Sequence, residues 1–426
     1  MEPIDFSLLP RTSALPPDGS LEIGGVSVLD LAASVGTPVF IYDQADLTAR
    51  FAEAYSIFGE GTAYATKAFL CKAAARLAYQ QGLSLDVATG GEYYACRQAG
   101  VPAAKLILHG NNKSASEVAL AIEEGVQWIV IDGFGDLDLI AKTAAQLRKR
   151  TPVLIRVNPG VDVHTHRFIR TGNRRSKFGF PLWNGDAESA LRDLRGHDWL
   201  DLVGIHIHVG SLVFSTDTFI SALEVVANFV KAAGLPYFVV GGGLGTRYLN
   251  SDTAPSIREW ADAIFNYCDH SQMKCKVLAE PGRALVAPTA ITCYTVGRLE
   301  EKGSDTYVAV DGGMSDNPRP LLYDSGYELL LVREPVARRD LRVTLVGSHC
   351  ESGDTLVRDG GLPSSTHIGD IVSTPVTGAY GYSMASNYNK MPRPPVVFVE
   401  NGTAKTVIRR ETYADLQARD LELDGD

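Results

Sequence analysis

The sequence predicts an α/β fold joined to an all-β one: a (β/α)8 barrel of the TIM type, and a second β-sheet or barrel domain built from the C-terminal part and the N-terminal segment. Two observations carry this. From about residue 45 onward, short β-rich runs alternate with longer Ala-rich amphipathic stretches, and eight such β runs occur before residue 286. Strands alternating with helices imply a parallel sheet, and eight repeats imply closure into a barrel. After about residue 286 the runs read as β with no regular helices between them. An open doubly wound sheet is the alternative architecture for the first part. The expected division is an N-terminal arm and strand joining the β domain (1–44), the barrel (45–285) and the C-terminal β domain (286–426).

The elements follow in chain order. Residues 1–20 are rich in Pro and Ser and are expected to form a loose arm. Residues 21–42 look strand-like and are expected to pair with the C-terminal β domain. The eight barrel strands are expected at 62–67, 83–88, 106–109, 128–132, 152–158, 202–209, 237–241 and 276–280. Helical stretches are expected at 72–81, 92–99, 114–124, 136–150 and 218–233. The second domain should place strands at 290–299, 306–310, 342–346, 371–374, 395–399 and 406–409, separated by turn residues. The acidic end, 421–426, is expected to fray.

Composition narrows the function. The chain has 426 residues, 45% hydrophobic and 21% charged, as in ordinary globular proteins. A net charge of −10 argues against a nucleic-acid or anionic-membrane partner. The first twenty residues lack the charged and apolar regions of a signal peptide, and no apolar run approaches a membrane span. A cytoplasmic protein is expected. The six cysteines, at 71, 96, 268, 275, 293 and 350, are scattered without metal-like spacing and are expected to be reduced. Five of them read as small core residues; Cys350 differs because Glu351 and Asp354 are close by.

Active sites of such barrels lie at the C-terminal ends of the strands. Lys67 ends the first expected strand, and His206 and His208 end the sixth. The run 241–245, GGGLG, follows the seventh. Glu280, Gly282 and Arg283 follow the eighth. All fall on one face of one barrel. Glycines without side chains let backbone N–H groups turn toward a phosphate, and the loops after strands seven and eight are the recurrent phosphate site. A lysine at a strand end, when desolvated, becomes a Schiff-base amine. A carboxylate at 280 would favour a protonated pyridine, which is a strong electron sink. With the thiol of Cys350, these groups form the kit for pyridoxal phosphate (PLP) chemistry on an amino acid. The competing reading of His206 and His208 is a metal pair on one strand face, but further ligands are not obvious at other strand ends, and no metal is expected.

The runs YATKAFL (64–70), HGNNKS (109–114), RTGNRRSKFGF (170–180), GIHIHVGS (204–211), GGGLG (241–245), EPGR (280–283), CESGD (350–354) and GAYGYSMASNYN (378–389) carry a family resemblance. The chain resembles the PLP-dependent decarboxylases of diaminopimelate, ornithine and arginine, the diaminopimelate enzymes above all, from about residue 35 to 415. The resemblance implies that Lys67 carries the cofactor, that His208 stacks on its ring and that Glu280 pairs with the ring nitrogen. It places Ser211, Gly243, Gly282, Arg283 and Tyr380 around the cofactor, and Arg283, Arg319, Tyr323, Glu351 and Tyr380 against the substrate. Cys350 resembles the acid that returns a proton after CO2 leaves. Glu351 would take the second ammonium of diaminopimelate, and Arg283 or Arg319 its second carboxylate. The implied reaction is meso-diaminopimelate to L-lysine and CO2. The implied assembly is a homodimer whose sites are shared between chains. Leu212 stands where the family often has Gln, which leaves carboxynorspermidine or a siderophore precursor as alternative substrates. A PLP racemase is a further alternative, although it would give the CESGD run no role.

Overall fold

The computed structural model describes residues 1–161, 174 and 176–423. Residues 170–173 and 175 of the 170–180 run and the last three residues lie outside them. The chain divides into two compact units. One comprises Thr48–Thr246 with Thr253–Leu285; the other comprises Met1–Leu47, Arg247–Asp252 and Val286–Asp426.

The first unit is the barrel. Its parallel strands are β1 (Ala63–Ala65), β2 (Ser84–Val87), β3 (Leu106–Leu108), β4 (Trp128–Ile131), β5 (Thr151–Asn158), β6 (Leu200–His206), β7 (Tyr237–Val239) and β8 (Lys276–Leu278). They pair in sequence order from β1 to β8. The sheet closes on itself: Ala63 N–H donates to the Ala279 carbonyl and Ala65 N–H to the Pro281 carbonyl. Closure removes both sheet edges. All eight expected strands are present, all but β5 shortened at their C-terminal ends, and the barrel replaces the open-sheet alternative. Strands β2, β3 and β4 are buried at every position, as parallel strands covered on both faces must be. Ala63, Ile107, Trp128, Val130, Leu154, Val239 and Leu278 form one buried cluster contributed by six of the strands. Gly61, at φ +97°, lets the chain enter β1 against the Leu278 side chain, 3.0 Å from where a Cβ would stand.

The helices start where local chemistry starts them. Ser114 and Glu117 form a reciprocal capping box at Ala115–Glu124, and Ser256 with Glu259 does the same at Ile257–His270. Gly125 ends the former in the left-handed region. The longest helix, Thr216–Ala233, buries Phe219, Leu223, Val226 and Val230 on one face.

The second unit is a seven-strand path in the order Thr355–Leu362, Leu341–Val346, Asp305–Val310, Ala290–Lys302, Val39–Asp43, Val396–Glu400 and Thr403–Ile408. Ile371–Pro375 also pairs with Ala290–Lys302 and carries Leu330–Leu331. Val39–Asp43 lies antiparallel to Ala290–Cys293 and parallel to Val396–Val399, so the N-terminal segment does join the β unit. Two expectations need correction. The 21–42 stretch is not all strand: Val28–Val35 is a helix, N-capped by Ser27. The first twenty residues are not loose. Ile4, Leu8 and Leu9 are buried, the N-terminal ammonium donates to the Arg339 carbonyl at 2.8 Å, and Asp5 pairs with Arg247 at 2.7 Å. A Pro- and Ser-rich composition marked irregular backbone, but apolar residues inside it were enough to tether it. No helix among the described residues is long and apolar enough to cross a membrane.

Candidate active site

Beyond β1 the chain turns at once into a single 3-10 turn, Thr66–Ala68, which carries Lys67. Thr66 Oγ1 fixes this turn by donating to the Asp86 carbonyl at 2.7 Å. Lys67 is exposed and lines a cavity of about 460 Å3 in the barrel unit, together with Asp86, His109, Arg156, His208 and Ser211. Lys67 was expected as the last residue of the strand; it lies two residues beyond β1, on the turn, and is exposed rather than desolvated.

Glu280 follows β8 and is 5% exposed. Its Oε1 lies 3.1 Å from His109 Nε2 and its Oε2 lies 2.9 Å from His206 Nε2. Burial alone would raise its pKa, but the two imidazoles outweigh burial and hold the carboxyl well below the usual carboxylate range. His109, at the end of β3, also faces Asp86 at 3.7 Å. Burial opposes its charge, yet the Asp86 and Glu280 carboxylates lift it above the ordinary histidine value. His206 goes the other way: burial dominates and lowers it. Arg156, on β5, donates to Asp132 at 3.2 Å and lies 4.5 Å from the centre of the Phe178 ring.

His208 stands two residues beyond the end of β6, not on the strand. Its Nδ1 accepts from the Gly242 N–H at 3.2 Å. Burial first, and then Lys67 and Arg156, push its pKa well below the usual value. This shift favours the uncharged imidazole, which with Nδ1 accepting carries its proton on Nε2. The glycine run is forced by close approach. A Cβ on Gly243 (φ +103°) would sit 2.0 Å from the Gly210 carbonyl oxygen, and one on Gly242 would sit 2.3 Å from that of Glu280. Val213 N–H donates to the Gly243 carbonyl and Gly245 N–H to the Val213 carbonyl. These bonds tie the glycine loop to the loop bearing Ser211. A Cβ on Gly282, two residues after Glu280, would stand 3.1 Å from Ala65 Cβ and 3.2 Å from Ala68 Cβ, and buried Arg283 opens the short helix Arg283–Val286.

The remaining expected site residues belong to the β unit. Cys350 and Glu351 are exposed on the loop between Leu341–Val346 and Thr355–Leu362. Tyr388 donates to Glu351 Oε1. Asp354 closes the loop by accepting from His349 N–H at 2.7 Å and Met314 N–H at 2.6 Å. Arg319 is 1% exposed. Its guanidinium lies 4.3 Å from the Tyr248 ring centre and donates to Ser325 at 3.2 Å and to Tyr327. Tyr323 ends the Arg319–Tyr323 helix, and Tyr380 takes a positive φ of 57°.

Lys67, His208 and Ser211 thus share one cavity, and Glu280 bonds to its wall through His109. The roles of Asp86, His109 and Arg156 escaped the sequence reading. Each sits at or near a strand end, so the same positional rule applied to β2, β3 and β5 would have found them.

Residues 44–287 match the family described as pyridoxal-dependent decarboxylase, pyridoxal binding domain. Over its full length the chain is similar to diaminopimelate decarboxylases. It is 42% identical to that of Halalkalibacterium halodurans, covering 97% of this chain and 98% of the relative. It is 42% identical to that of Bacillus subtilis, with 95% of each covered. Among solved structures, diaminopimelate decarboxylase from M. jannaschii in complex with L-lysine is 31% identical, covers 97% of this chain and 98% of that one, and has a TM-score of 0.89.

Proposed function

Because the chain belongs to the pyridoxal-dependent decarboxylases, and within them to the diaminopimelate decarboxylases, we propose that it removes one carboxyl group of meso-2,6-diaminopimelate as CO2 and leaves L-lysine. It is a carboxy-lyase, and pyridoxal phosphate is its cofactor. The observation that carries the reading is the cavity holding Lys67 and neutral His208, with ionised Glu280 bonded to its wall.

The donor set fits the cofactor. The cradle at 242–243 has no room even for a Cβ, which brings backbone within reach of a phosphate, and Ser211 adds a hydroxyl. His208 offers a flat uncharged ring. Glu280 offers an anion to a ring N–H. Lys67 offers the amine that would hold the carbonyl carbon. When bound, the cofactor supplies a sink for the electron pair released as the bond to the carboxylate breaks.

The chain's own residues do the rest. Glu280 keeps the ring nitrogen protonated, since its negative charge favours the cationic form. Arg283 and Arg319 orient carboxylates by paired N–H donors, with Tyr323 and Tyr380 beside them. Glu351 accepts the ammonium at the far end of the substrate. Cys350 Sγ delivers a proton to the α-carbon that has lost CO2. We further propose that the barrel at 45–285 is the cofactor domain, that the protein is a cytoplasmic homodimer, and that Cys350 and Glu351 of one chain serve the barrel of the other.

The test is to incubate purified protein with meso-diaminopimelate and PLP and to assay CO2 and lysine, beside L-ornithine and carboxynorspermidine. Leu212, held at φ +57° next to Ser211, makes the panel informative. Preference for either alternative substrate overturns the assignment, and racemisation without CO2 release overturns the reaction class.

A further inference from the structure

The geometry points to His109 and His206 as positioning residues that clamp Glu280 from both sides, with His109 the imidazolium shared between Asp86 and Glu280, so that the carboxylate meets the cofactor ring as an oriented anion. This rests on the reading of Glu280 as partner of the ring nitrogen, and adds the side chains through which Glu280 acts.

An ionised carboxylate only accepts hydrogen bonds, so each imidazole must present its Nε2–H to it. His109 does so to Oε1 at 3.1 Å and His206 to Oε2 at 2.9 Å. Each oxygen has about two lone pairs, so one remains on each for a further donor such as a ring N–H. The two imidazoles stand 5.1 Å apart at 68°, which fixes the carboxylate plane between them. Their roles differ. His206 Nδ1 is buried and has no partner among the described residues. A proton there would be a buried, unpaired, charged donor, so His206 stays neutral. His109 has two carboxylates, Asp86 and Glu280, within 3.7 Å of one nitrogen, and these suit a cation. Among the described residues, Glu92, Arg156 and His208 also act on this cluster, and Lys67 acts on Glu92 and His208. The trio also has the makeup of a divalent-cation site, with ligating atoms all within 4.8 Å of one another. At hydrogen-bond distances, however, the three already satisfy one another.

The experiment titrates apoprotein with PLP and follows the visible absorbance of the bound cofactor across pH. Wild type is compared with His109→Ala, His206→Ala, His109→Gln, Glu280→Gln and the double variant His109→Ala/Glu280→Gln. Each alanine variant is expected to weaken PLP binding by about tenfold or more and to change the pH profile of the band. His109→Gln, which restores an N–H donor, should recover part of the affinity. The double variant should bind no more weakly than Glu280→Gln alone, because His109 acts through Glu280. Far-UV circular dichroism of the apoproteins checks that each variant is folded. Unchanged affinity and spectrum in folded His109→Ala, or additive losses in the double variant, overturn the clamp while leaving Glu280 as ring partner. Glu280→Gln with unchanged affinity and spectrum overturns that parent reading and the clamp with it. Stoichiometric zinc retention by the apoprotein, lost in both alanine variants, would identify a cation site instead and also overturn the clamp.

Discussion

At the residue scale, the ionisation of a few side chains decides the chemistry. Lys67 is exposed on the cavity wall, where an amine can reach a carbonyl carbon. Lys67→Ala should abolish covalent attachment of PLP; borohydride reduction followed by peptide mapping checks this, and labelling of another lysine in the wild type would refute the assignment. Glu351 should matter for the substrate and not for the cofactor. Glu351→Ala is expected to cost on the order of 2–5 kcal/mol in substrate binding, because an ammonium would lose its charged partner. PLP affinity should stay unchanged, and a steady-state comparison of diaminopimelate with L-ornithine reads the difference. That Lys67, His208 and Glu280 stand near barrel strand ends was legible in the sequence, because a β run leads up to each. The pairing of His109 with Glu280 was not legible. It joins residues 171 apart in sequence, and only the curl of the sheet brings the end of β3 to the loop after β8.

At the scale of elements, period and composition carried the strands but missed what turns do. All eight barrel strands were legible because short β-rich runs alternate with longer helical stretches along the chain. The helix Val28–Val35 was misread since its residues, Val, Leu and Ala, suit either element, and the N-cap bond from Asp30 N–H to Ser27 is what favours the helix. The glycine loop was legible as a turn, but the reason for each glycine is tertiary. Gly243→Ala should lower PLP affinity by about tenfold or more, because the new methyl would meet the Gly210 carbonyl and the loop must shift. Titration of the apoprotein measures it, and an unchanged affinity would remove this loop from the phosphate site. Asp316 gives a second prediction. Burial raises its pKa to about 7, the Gly313 N–H opposes this, and Asp311 and Asp354 add to it. A carboxyl that binds its proton more tightly when folded stabilises fully below its unfolded pKa near 4, and this stabilisation is lost as pH rises through about 7. Asn never ionises and keeps an oxygen for the Gly313 N–H, which now donates at 3.0 Å. Asp316→Asn should therefore raise the Tm relative to wild type at about pH 8, with the gain shrinking by about pH 5. A pH-independent difference would show that Asp316 ionises in the folded protein as it does unfolded.

At the scale of the whole molecule, order along the chain was legible from periodicity, whereas assembly came only from the family resemblance, because a subunit interface leaves no periodicity in one sequence. The proposal that Cys350 acts in the partner's site follows from what general acid work requires: hydrogen-bond reach, or one bridging water, to the carbon that receives the proton. Cys350 belongs to a loop of the β unit, whereas Lys67 belongs to the barrel unit. A two-fold assembly with reciprocal contacts lets each chain supply both. Complementation distinguishes the two arrangements. Lys67→Ala and Cys350→Ala should each be nearly inactive alone. Mixed and allowed to exchange subunits, half of the dimers become heterodimers. In a shared-site dimer each heterodimer has one site with both residues intact, so the mixture should recover up to about a quarter of wild-type activity. If each site were built within one chain, a heterodimer would hold one site lacking Lys67 and one lacking Cys350, and nothing would return. Recovery with exchange verified by mass labelling therefore supports the shared site. Its absence under the same condition means that Cys350 serves its own chain or takes no part in the proton transfer.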